Sequence, residues 1–463
     1  MADQPTARVV DLALEHGRDA MSFLAVESGM RHWFDASPPE GTGACVAFVE
    51  TWGAWVAACG PLVEARESSR AAARFVEAAR DAGRRACFFA SETLEPQGMT
   101  RVLLGEQPVF RPRDWLRELP RRRRLREQLR RARAKGVRVG RLAAEELDDG
   151  EPRRLDVERL AAEWLGARHL EPMGFLVALE VFHHPHEHRY FIAEHDDRLV
   201  GFLSAVPIGR HAWLVEDVLR SQFAPNGTTE ALLHALMEDV ADSEYVTLGL
   251  TPLAGAVAWP LRAMRWIARP LFDFEGLRAF RERMHPFAWQ PVWLVFPRAA
   301  HPLVPVMDSL RAFARGSLLG FAARSLWRHP SGLPWALALP LPFWTLLLAW
   351  LALVDRASLL GFPREELTLW VAFDVLLLVV LAHVAMRPRR GRLVLATSFA
   401  TLDAILSIGH LAWVGFGPTL LQASLRAVAT CAPVAGALLL GWATTRTVAT
   451  QQARPKPPGS PRS

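Results

Sequence analysis

The chain has 463 residues, more than one ordinary domain requires, which predicts two or three domains. Hydrophobic residues make up 51% and charged residues 22%, which excludes a disordered, collagen-like or coiled-coil chain. The net charge is +6, and the four cysteines form no CxxC pair, which argues against a disulfide framework or a zinc ribbon. Most long uncharged runs lie after residue 330, so a soluble part is predicted to precede a membrane part.

The N-terminal stretch predicts the beginning of an α/β structure. Cys45–Glu50 and Trp55–Cys59 are short apolar runs flanked by glycine, a pattern typical of a β-hairpin. Ser68–Ala82 has apolar residues at helical spacing, and Ala86–Ala90 is predicted as the strand after it.

A second set of elements follows the same order. Tyr190–Glu194 and Leu199–Pro207 are predicted as paired strands, and Ala212–Leu219 as a third strand. Thr228–Ala241 is predicted as a helix and Tyr245–Leu250 as a strand. The shared order indicates two similar α/β units.

Between these sets lies a strongly basic segment, Arg111–Arg141. It contains thirteen arginines and one lysine against three acidic residues, a net charge of +11. With Leu125 and Leu129 as an apolar stripe, it predicts one amphipathic helix that ends at Gly136. Such a helix attracts the phosphates of nucleic acid or of anionic lipid. The high charge therefore favours a phosphate-binding role over the alternative, a solvated linker helix. Arginines recur at helical spacing at Arg122, Arg126, Arg130 and Arg133.

A strand–turn–helix pattern in the second α/β unit predicts an anion site. The strand ends in Glu216, Asp217 and Arg220, and the turn Pro225-Asn-Gly227 follows. Thr228 or Thr229 is then expected to cap a helix that buries Leu232, Leu233 and Leu236. Free backbone N–H groups and the helix dipole at such a terminus favour an anion.

Several segments together resemble the C-terminal catalytic domain of phosphatidylglycerol lysyltransferases, also called lysylphosphatidylglycerol synthases. The resemblance covers roughly residues 20–300, and the basic helix is similar to a basic linker helix of that family. The segments that carry it are Leu125–Gly136, Asp217–Arg220, Ala224–Thr228, Leu248–Gly255, Phe274–Arg283 and Trp293–Pro297.

The resemblance implies a tandem pair of acetyltransferase-like (GNAT) domains. It also implies transfer of an aminoacyl group from aminoacyl-tRNA to a head-group hydroxyl of an anionic membrane lipid, typically phosphatidylglycerol. The product lipid weakens binding of cationic antimicrobial peptides. An aminoacyl ester is already activated, so neither a metal nor another cofactor is expected; the enzyme must align two phosphate-rich substrates, ease deprotonation of a hydroxyl and stabilise an oxyanion.

On this basis Asp217 is the expected base or polar anchor, with a structural salt bridge to Arg220 as its alternative. The catalytic candidates are Asp217, Arg220, Arg281 and Arg283, the last two standing where the family usually has lysine. The candidates for substrate binding are Glu216, Asn226, Gly227, Thr228, Arg278, Arg126 and Arg130.

The C-terminal part predicts four transmembrane helices. Each apolar stretch is about 20 residues, the length that spans a bilayer. If there are four spans, three groups of arginines fall on the same side of the membrane. They lie before the first span, in Arg387–Arg392 and after the fourth span. This predicts a multi-pass inner-membrane protein with the catalytic part and both termini in the cytoplasm. The stretches are Leu333–Val354, Leu367–Met386, Leu393–Val414 and Ala427–Thr445.

Four ionisable residues lie at membrane depth within these spans. They are interpreted as hydrogen-bonding between helices, with a lipid or proton pathway as the alternative. The residues are Asp374, His383, Asp403 and His410.

Other features leave alternatives open. The run His183–His188 is interpreted as a solvated loop rather than a metal site, because HExxH spacing is missing. Ser317–Trp327 is predicted as an amphipathic helix that either docks on the membrane or packs internally. An acyl-CoA-dependent transferase is disfavoured because the RxxGxG/A loop is absent. A non-catalytic membrane protein that binds lipid or RNA is the remaining rival.

The predicted fold class is therefore α/β, tandem GNAT domains followed by an all-α bundle. The expected segments are an N-terminal GNAT-like domain (1–115), a basic linker helix (116–140), a catalytic GNAT-like domain (141–300), a connector (301–332), four transmembrane helices (333–445) and a disordered tail (446–463).

Overall fold

The computed structural model describes residues 4–35, 43–166, 174–176, 179–268, 273–328, 333–338, 340–354, 356–386 and 390–452. Contacts within the chain divide it into two compact units, Met1–Phe321 and Ala322–Ser463. The first unit is α/β, as predicted, and the described residues of the second are mostly helical.

One mixed sheet organises the first unit. The strand order is β1-β2-β3-β4-β12-β5-β10-β9-β8-β7-β6, and β11 pairs with β5 beside this path. The two predicted α/β sets therefore share a sheet, since β12 pairs antiparallel with both β4 and β5. The described strands are β1 (Arg31–Phe34), β2 (Cys45–Thr51), β3 (Ala54–Ala58), β4 (Arg85–Ser91), β5 (Met99–Phe110), β6 (Arg138–Leu142), β7 (Arg189–His195), β8 (Arg198–Ile208), β9 (Ala212–Arg220), β10 (Tyr245–Thr247), β11 (Thr251–Pro252) and β12 (Ala288–Pro297).

Helices cover the sheet and connect its strands. The described α-helices up to residue 328 are α1 (Gln4–His16), α2 (Ser68–Asp81), α3 (Pro112–Glu118), α4 (Arg123–Ala134), α5 (Pro152–Gly166), α6 (Thr228–Asp239), α7 (Trp259–Ala268), α8 (Phe274–Arg283), α9 (Leu303–Phe313) and α10 (Leu318–Arg328). The helix predicted over Ser317–Trp327 is thus present as α10.

Local patterning accounts for the elements that were predicted. The β2–β3 hairpin closes through Trp52 and Gly53, and the positive φ of Gly53 (85°) suits such a tight turn. In α6 the predicted apolar face is confirmed, since Leu232, Leu233 and Leu236 are at most 1% exposed. Burying one such side chain stabilises the fold by about 1.5–3 kcal/mol.

The prediction of one continuous basic helix is wrong. The segment forms α3, a short 3-10 turn and α4, and the chain then enters β6 at Arg138. Pro120 lies in the 3-10 turn, and proline lacks the N–H that a continuing helix requires. Gly136 has a φ of 82° just beyond α4, where a left-handed residue ends a helix. The predicted apolar stripe is buried, with Leu125 and Leu129 facing the core.

Among its described residues, the second unit has three helices long and apolar enough to cross a membrane. They lie within α13 (Arg364–Met386), α14 (Arg390–Val414) and α15 (Leu420–Gln452). The predicted first span, over Leu333–Val354, contains the shorter helices α11 (Leu333–Ala338) and α12 (Leu341–Leu353).

The count of four spanning helices is therefore not confirmed. Pro340 and Pro342 stand at the start of α12, where a proline ring fixes φ and removes a backbone donor.

Candidate active site

The candidate active site lies where β9 and β10 stop pairing. β10 pairs in parallel with Ala212–Leu214 of β9 and ends at Thr247, short of the predicted end at Leu250. Beyond Leu214, β9 keeps β8 as its partner on one edge, while its pairing with β10 has ended. Unpaired backbone groups at a strand edge are available to a ligand. Glu216 and Asp217 lie in this stretch.

The carboxyl group of Glu216 is paired with a histidine. His188 Nε2 lies 3.2 Å from Glu216 Oε2, and His188 Nδ1 lies 2.9 Å from the carbonyl oxygen of His184. A carbonyl only accepts, so Nδ1 is the donor in that bond, and Nε2 faces the Glu216 carboxyl group. His188 is 7% exposed, and its ring stacks on that of Tyr190 with the centroids 5.2 Å apart. This packing fixes the orientation of the imidazole.

A second buried carboxyl group comes from the N-terminal half of the unit. Glu27 directly follows the 3-10 helix Ser22–Val26 and is 7% exposed. Burial raises the pKa of Glu27 to about 9, helped by the negative charges of Glu216, Glu180 and Asp217. Glu27 therefore carries a proton at neutral pH.

Contacts between two irregular segments hold Glu27 near β9. The Ser28 N–H donates to Glu180 Oε2 at 2.9 Å, and the Ser28 hydroxyl donates to the other Glu180 oxygen. His183 Nε2 lies 2.6 Å from the carbonyl oxygen of Val26. The interpretation of His183–His188 as a solvated loop is therefore wrong for His183 and His188, which tie the two halves together.

A cavity of about 350 Å³ adjoins this group. Glu27 and Glu180 line it together with Arg315 and the small residues Ser28 and Gly174. The volume falls within the roughly 300–1,000 Å³ typical of small-molecule sites. Glu27 thus lines this cavity and also feels the negative charges of Glu216 and Asp217.

The arrangement is suited to proton transfer. Glu27 stays protonated to about pH 9 and stands among other acids. Acidic groups whose surroundings give them different pKa values can act as a general acid and a general base in one site. Within the described ranges, no group of three or more His, Cys, Asp or Glu side chains could hold a metal ion.

The turn before α6 differs from its predicted capping. Gly227, with a φ of 96°, is the N-cap residue, and the Thr228 hydroxyl donates to the Pro225 carbonyl at 2.7 Å instead of accepting from the helix. Arg220 donates to the Ala224 carbonyl at 2.8 Å and lies 3.4 Å from Asn226 Oδ1. Arg220 therefore braces this turn.

Helix α4 packs directly on that turn. A Cβ atom on Gly227 would lie 2.3 Å from the backbone oxygen of Gln128, and 3.1 Å from the side chain of Ala132. The basic helix and the start of α6 are thus in backbone contact, which links the basic segment to the β9–α6 connection.

The arginines of α8 have separate surroundings. Arg281 donates to the carbonyls of Gly249 (2.9 Å) and Leu248 and to the Thr251 hydroxyl (2.6 Å), and burial lowers its pKa to about 10. These bonds hold the 248–251 segment against α8, which is a positioning role.

Arg278 and Arg283 present their charge differently. Arg278 donates to Glu106 and Glu282, both at 2.9 Å, and lies 4.7 Å from the Trp289 ring. Arg283 lies 5.9 Å from the Phe280 ring. Of the three, Arg283 carries the fewest described contacts.

The described side chains of α4 form an exposed basic face. Arg130 pairs bidentately with Glu127, and Arg126 donates to the Pro120 carbonyl at 2.5 Å. Arg123 and Arg133 are exposed as well. We call Arg123, Arg126, Arg130 and Arg133 the α4 basic face.

Sequence reasoning found the acids of β9 but missed their partners. The histidine run was noticed, and its proximity to Glu216 was not predictable from spacing. Glu27 and Glu180 gave no signal, because each is a single acid in an irregular segment, 153 positions apart in the sequence.

The fold defines a class: a GNAT-like α/β fold. Two solved structures are similar in fold, each with a TM-score of 0.56. One is described as the C-terminal domain of a lysylphosphatidylglycerol synthetase from Agrobacterium fabrum, with 20% identity over 68% of this chain and 98% of that chain. The other is L-PGS from Bacillus licheniformis, with 18% identity over 68% of this chain and 97% of that chain. A search of curated protein sequences gives no match.

The chain belongs to the phosphatidylglycerol lysyltransferase C-terminal family, whose pattern it matches over residues 10–296. The predicted resemblance and the predicted GNAT-like fold are both confirmed. Family membership and the three long apolar helices together indicate a membrane-associated transferase.

Proposed function

We propose that the protein transfers an aminoacyl group from aminoacyl-tRNA to a head-group hydroxyl of a membrane lipid such as phosphatidylglycerol. The observation that carries the proposal is the protonated Glu27 beside the acids of β9, next to a cavity, in a chain of this family. The three apolar helices support a lipid acceptor, because a membrane anchor confines the site to the surface where that lipid lies.

The transfer requires one proton to leave the attacking hydroxyl and one to reach the departing ribose oxygen. In the proposed reaction the Asp217 carboxylate accepts the proton of the lipid hydroxyl as its oxygen attacks the ester carbonyl. The ester C–O bond to the ribose breaks, and the ribose oxygen takes its proton from Glu27. The His188–Glu216 pair positions Asp217 and Glu27. After the transfer, the same pair returns the proton from Asp217 to Glu27.

The α4 basic face is the proposed contact for tRNA phosphates. Arg126 and Arg130 lie on it, and Gly227 joins α4 to the β9–α6 turn. Phosphate contacts position a nucleic acid without reading its sequence. We place this face and the catalytic unit in the cytoplasm, where charged tRNA is available.

The proposal is tested by mass spectrometry of lipids extracted from cells that express the full chain. We expect a new aminoacylated lipid with the wild-type protein and none with Asp217→Asn. In membranes prepared from these cells, RNase treatment should stop the formation of the product. Product formation that resists RNase and needs acyl-CoA would replace the tRNA donor, and a folded protein with no lipid product would contradict the proposal.

Charge reversal of the α4 basic face is expected to weaken tRNA binding by about tenfold or more at low salt. The variant combines Arg123→Glu, Arg126→Glu and Arg133→Glu. Affinity falls with salt, and each lost phosphate contact makes the plot of log affinity against log salt less steep by roughly 0.7–0.9. Filter binding of tRNA over a salt series measures both effects.

The matched control for that variant makes the same charge change on another surface. It combines Arg66→Glu, Arg70→Glu and Arg80→Glu, all at exposed positions in or before α2. Equal losses in the two triple variants would indicate a net-charge effect and count against the α4 basic face. A loss of binding to anionic vesicles without a loss of tRNA binding would assign the face to the membrane.

A further inference from the structure

The second unit encloses a cavity of about 430 Å³ among its helices. Most of its lining is leucine and aromatic, including Trp344 and Trp370. Asp374 of α13, Asp403 of α14 and the neighbouring Ser407 add polar groups to the lining. An apolar cavity with a few convergent polar groups is the usual form of a small-molecule site.

The two aspartates are buried and short of partners. Asp374 is 4% exposed, and its Oδ2 has no hydrogen-bond partner among the described residues. Asp403 is 6% exposed, and the Ser407 hydroxyl lies 3.5 Å from its Oδ1. In the described part of the unit, neither aspartate forms an ion pair. Acids at membrane depth are costly without a counter-charge, so both remain open to a cation.

The arginine and histidine side chains of the same lining form hydrogen bonds with backbone carbonyls. Arg426 donates to the Gly415 carbonyl at 2.8 Å and to the carbonyls of Ser358, Leu359 and Val414 at 3.3 Å. His410 Nε2 lies 3.1 Å from the Leu360 carbonyl, and its ring stacks on Phe362. Arg426 and His410 thus hold the helix ends together.

A metal ion does not fit this donor set. Calcium and magnesium take about six or more oxygen ligands. No group of three or more His, Cys, Asp or Glu in the described chain could hold an ion, and the cavity is far larger than one ion requires.

We propose that this cavity binds an amphiphile whose ammonium group lies between Asp374 and Asp403 and whose chain lies along the leucine and aromatic walls. Two unpaired carboxyl groups select the positive head, and the apolar lining selects the tail. The ligand is either a lipid of the bilayer that carries an ammonium group or a single-chain amphiphile from solution.

The test is equilibrium binding to the full chain in nanodiscs of neutral phosphatidylcholine. The probe is radiolabelled decyltrimethylammonium, whose charge does not depend on pH, and decanol is the neutral comparison. Empty nanodiscs give the background. We expect saturable binding of the cation to the wild-type protein and binding weaker by about tenfold or more in Asp374→Asn and in Asp403→Asn.

A matched variant, Glu365→Gln, removes an acid in the first turn of α13, outside the cavity lining, and should leave binding unchanged. A second arm adds a two-chain trimethylammonium lipid to the nanodisc. Displacement of the probe by this lipid supports a lipid ligand, and its failure to displace supports a single-chain ligand. Equal binding of decanol and the cation, or unchanged binding in both asparagine variants, would overturn the proposal.

Discussion

Glu27→Gln is expected to lower kcat for aminoacyl transfer by about 10²–10⁴-fold while the protein stays folded. Glutamine keeps the size and neutral charge that Glu27 has at neutral pH, but its amide does not act as a general acid. Because burial holds the pKa of Glu27 near 9, wild-type activity should fall as pH rises through that value. The residual activity of the variant should lack this decline. Initial rates of lipid product formation over a pH series measure both.

The same substitution has an expected effect on stability, with a definite sign. The pKa of Glu27 is about 9 in the folded protein against an ordinary value of 4.5, so the folded state binds more protons between these values. The free energy of unfolding contributed by Glu27 is therefore full below about pH 4.5 and is lost as pH rises through about 9, by at most about 1.4 kcal/mol per pH unit. Thermal unfolding midpoints of Glu27→Gln should fall less over this window than those of the wild type.

Glu151→Gln is the matched control, because Glu151 is an exposed acid outside the site. It should behave as the wild type in rate and in stability at every pH. If Glu27→Gln retains full activity with an unchanged pH profile, Glu27 is not the acid. Asp217 with the His188–Glu216 pair would then have to accept the hydroxyl proton and deliver it to the ribose oxygen.

Local sequence patterns predicted the elements whose formation depends on residues close together in the chain. The hairpin around Gly53, helix α2 and the apolar face of α6 follow from alternation, helical spacing and a turn residue. Glu216 and Asp217 were predicted at the end of a strand, and they lie within β9, four and three residues before its last residue, Arg220.

The rest of the site depends on contacts between distant segments. Glu27 reaches β9 because Ser28 bonds to Glu180 and Val26 to His183, and no spacing in the sequence encodes those pairs. Pro120, which lies in the 3-10 turn between α3 and α4, was visible in the sequence, yet the strong charge pattern around it favoured one continuous helix. Arg281 was chosen by resemblance, and its hydrogen bonds to carbonyls of the 248–251 segment were not predictable from the sequence.

Gly227→Ala is expected to destabilise the protein by about 2–6 kcal/mol. A residue other than glycine at a φ of 96° costs roughly 1–3 kcal/mol of backbone strain. The new Cβ would also stand 2.3 Å from the Gln128 backbone oxygen, so α4 or α6 must shift, and such overpacking costs roughly 1–3 kcal/mol more. Denaturant unfolding of the full chain, followed by tryptophan fluorescence, measures the loss.

Gly83→Ala separates the two contributions to that loss. Gly83 also has a positive φ, 69°, but a Cβ there would have nothing within 4 Å, so only the backbone cost applies. Equal losses for the two variants would show that α4 does not press on the α6 turn. A larger loss for Gly227→Ala means that this contact fixes α4, and with it the α4 basic face, relative to β9. In the proposed function that variant, assayed at a temperature where it remains folded, should then lose transfer activity as well, because tRNA bound to a displaced α4 no longer delivers its ester to Asp217 and Glu27.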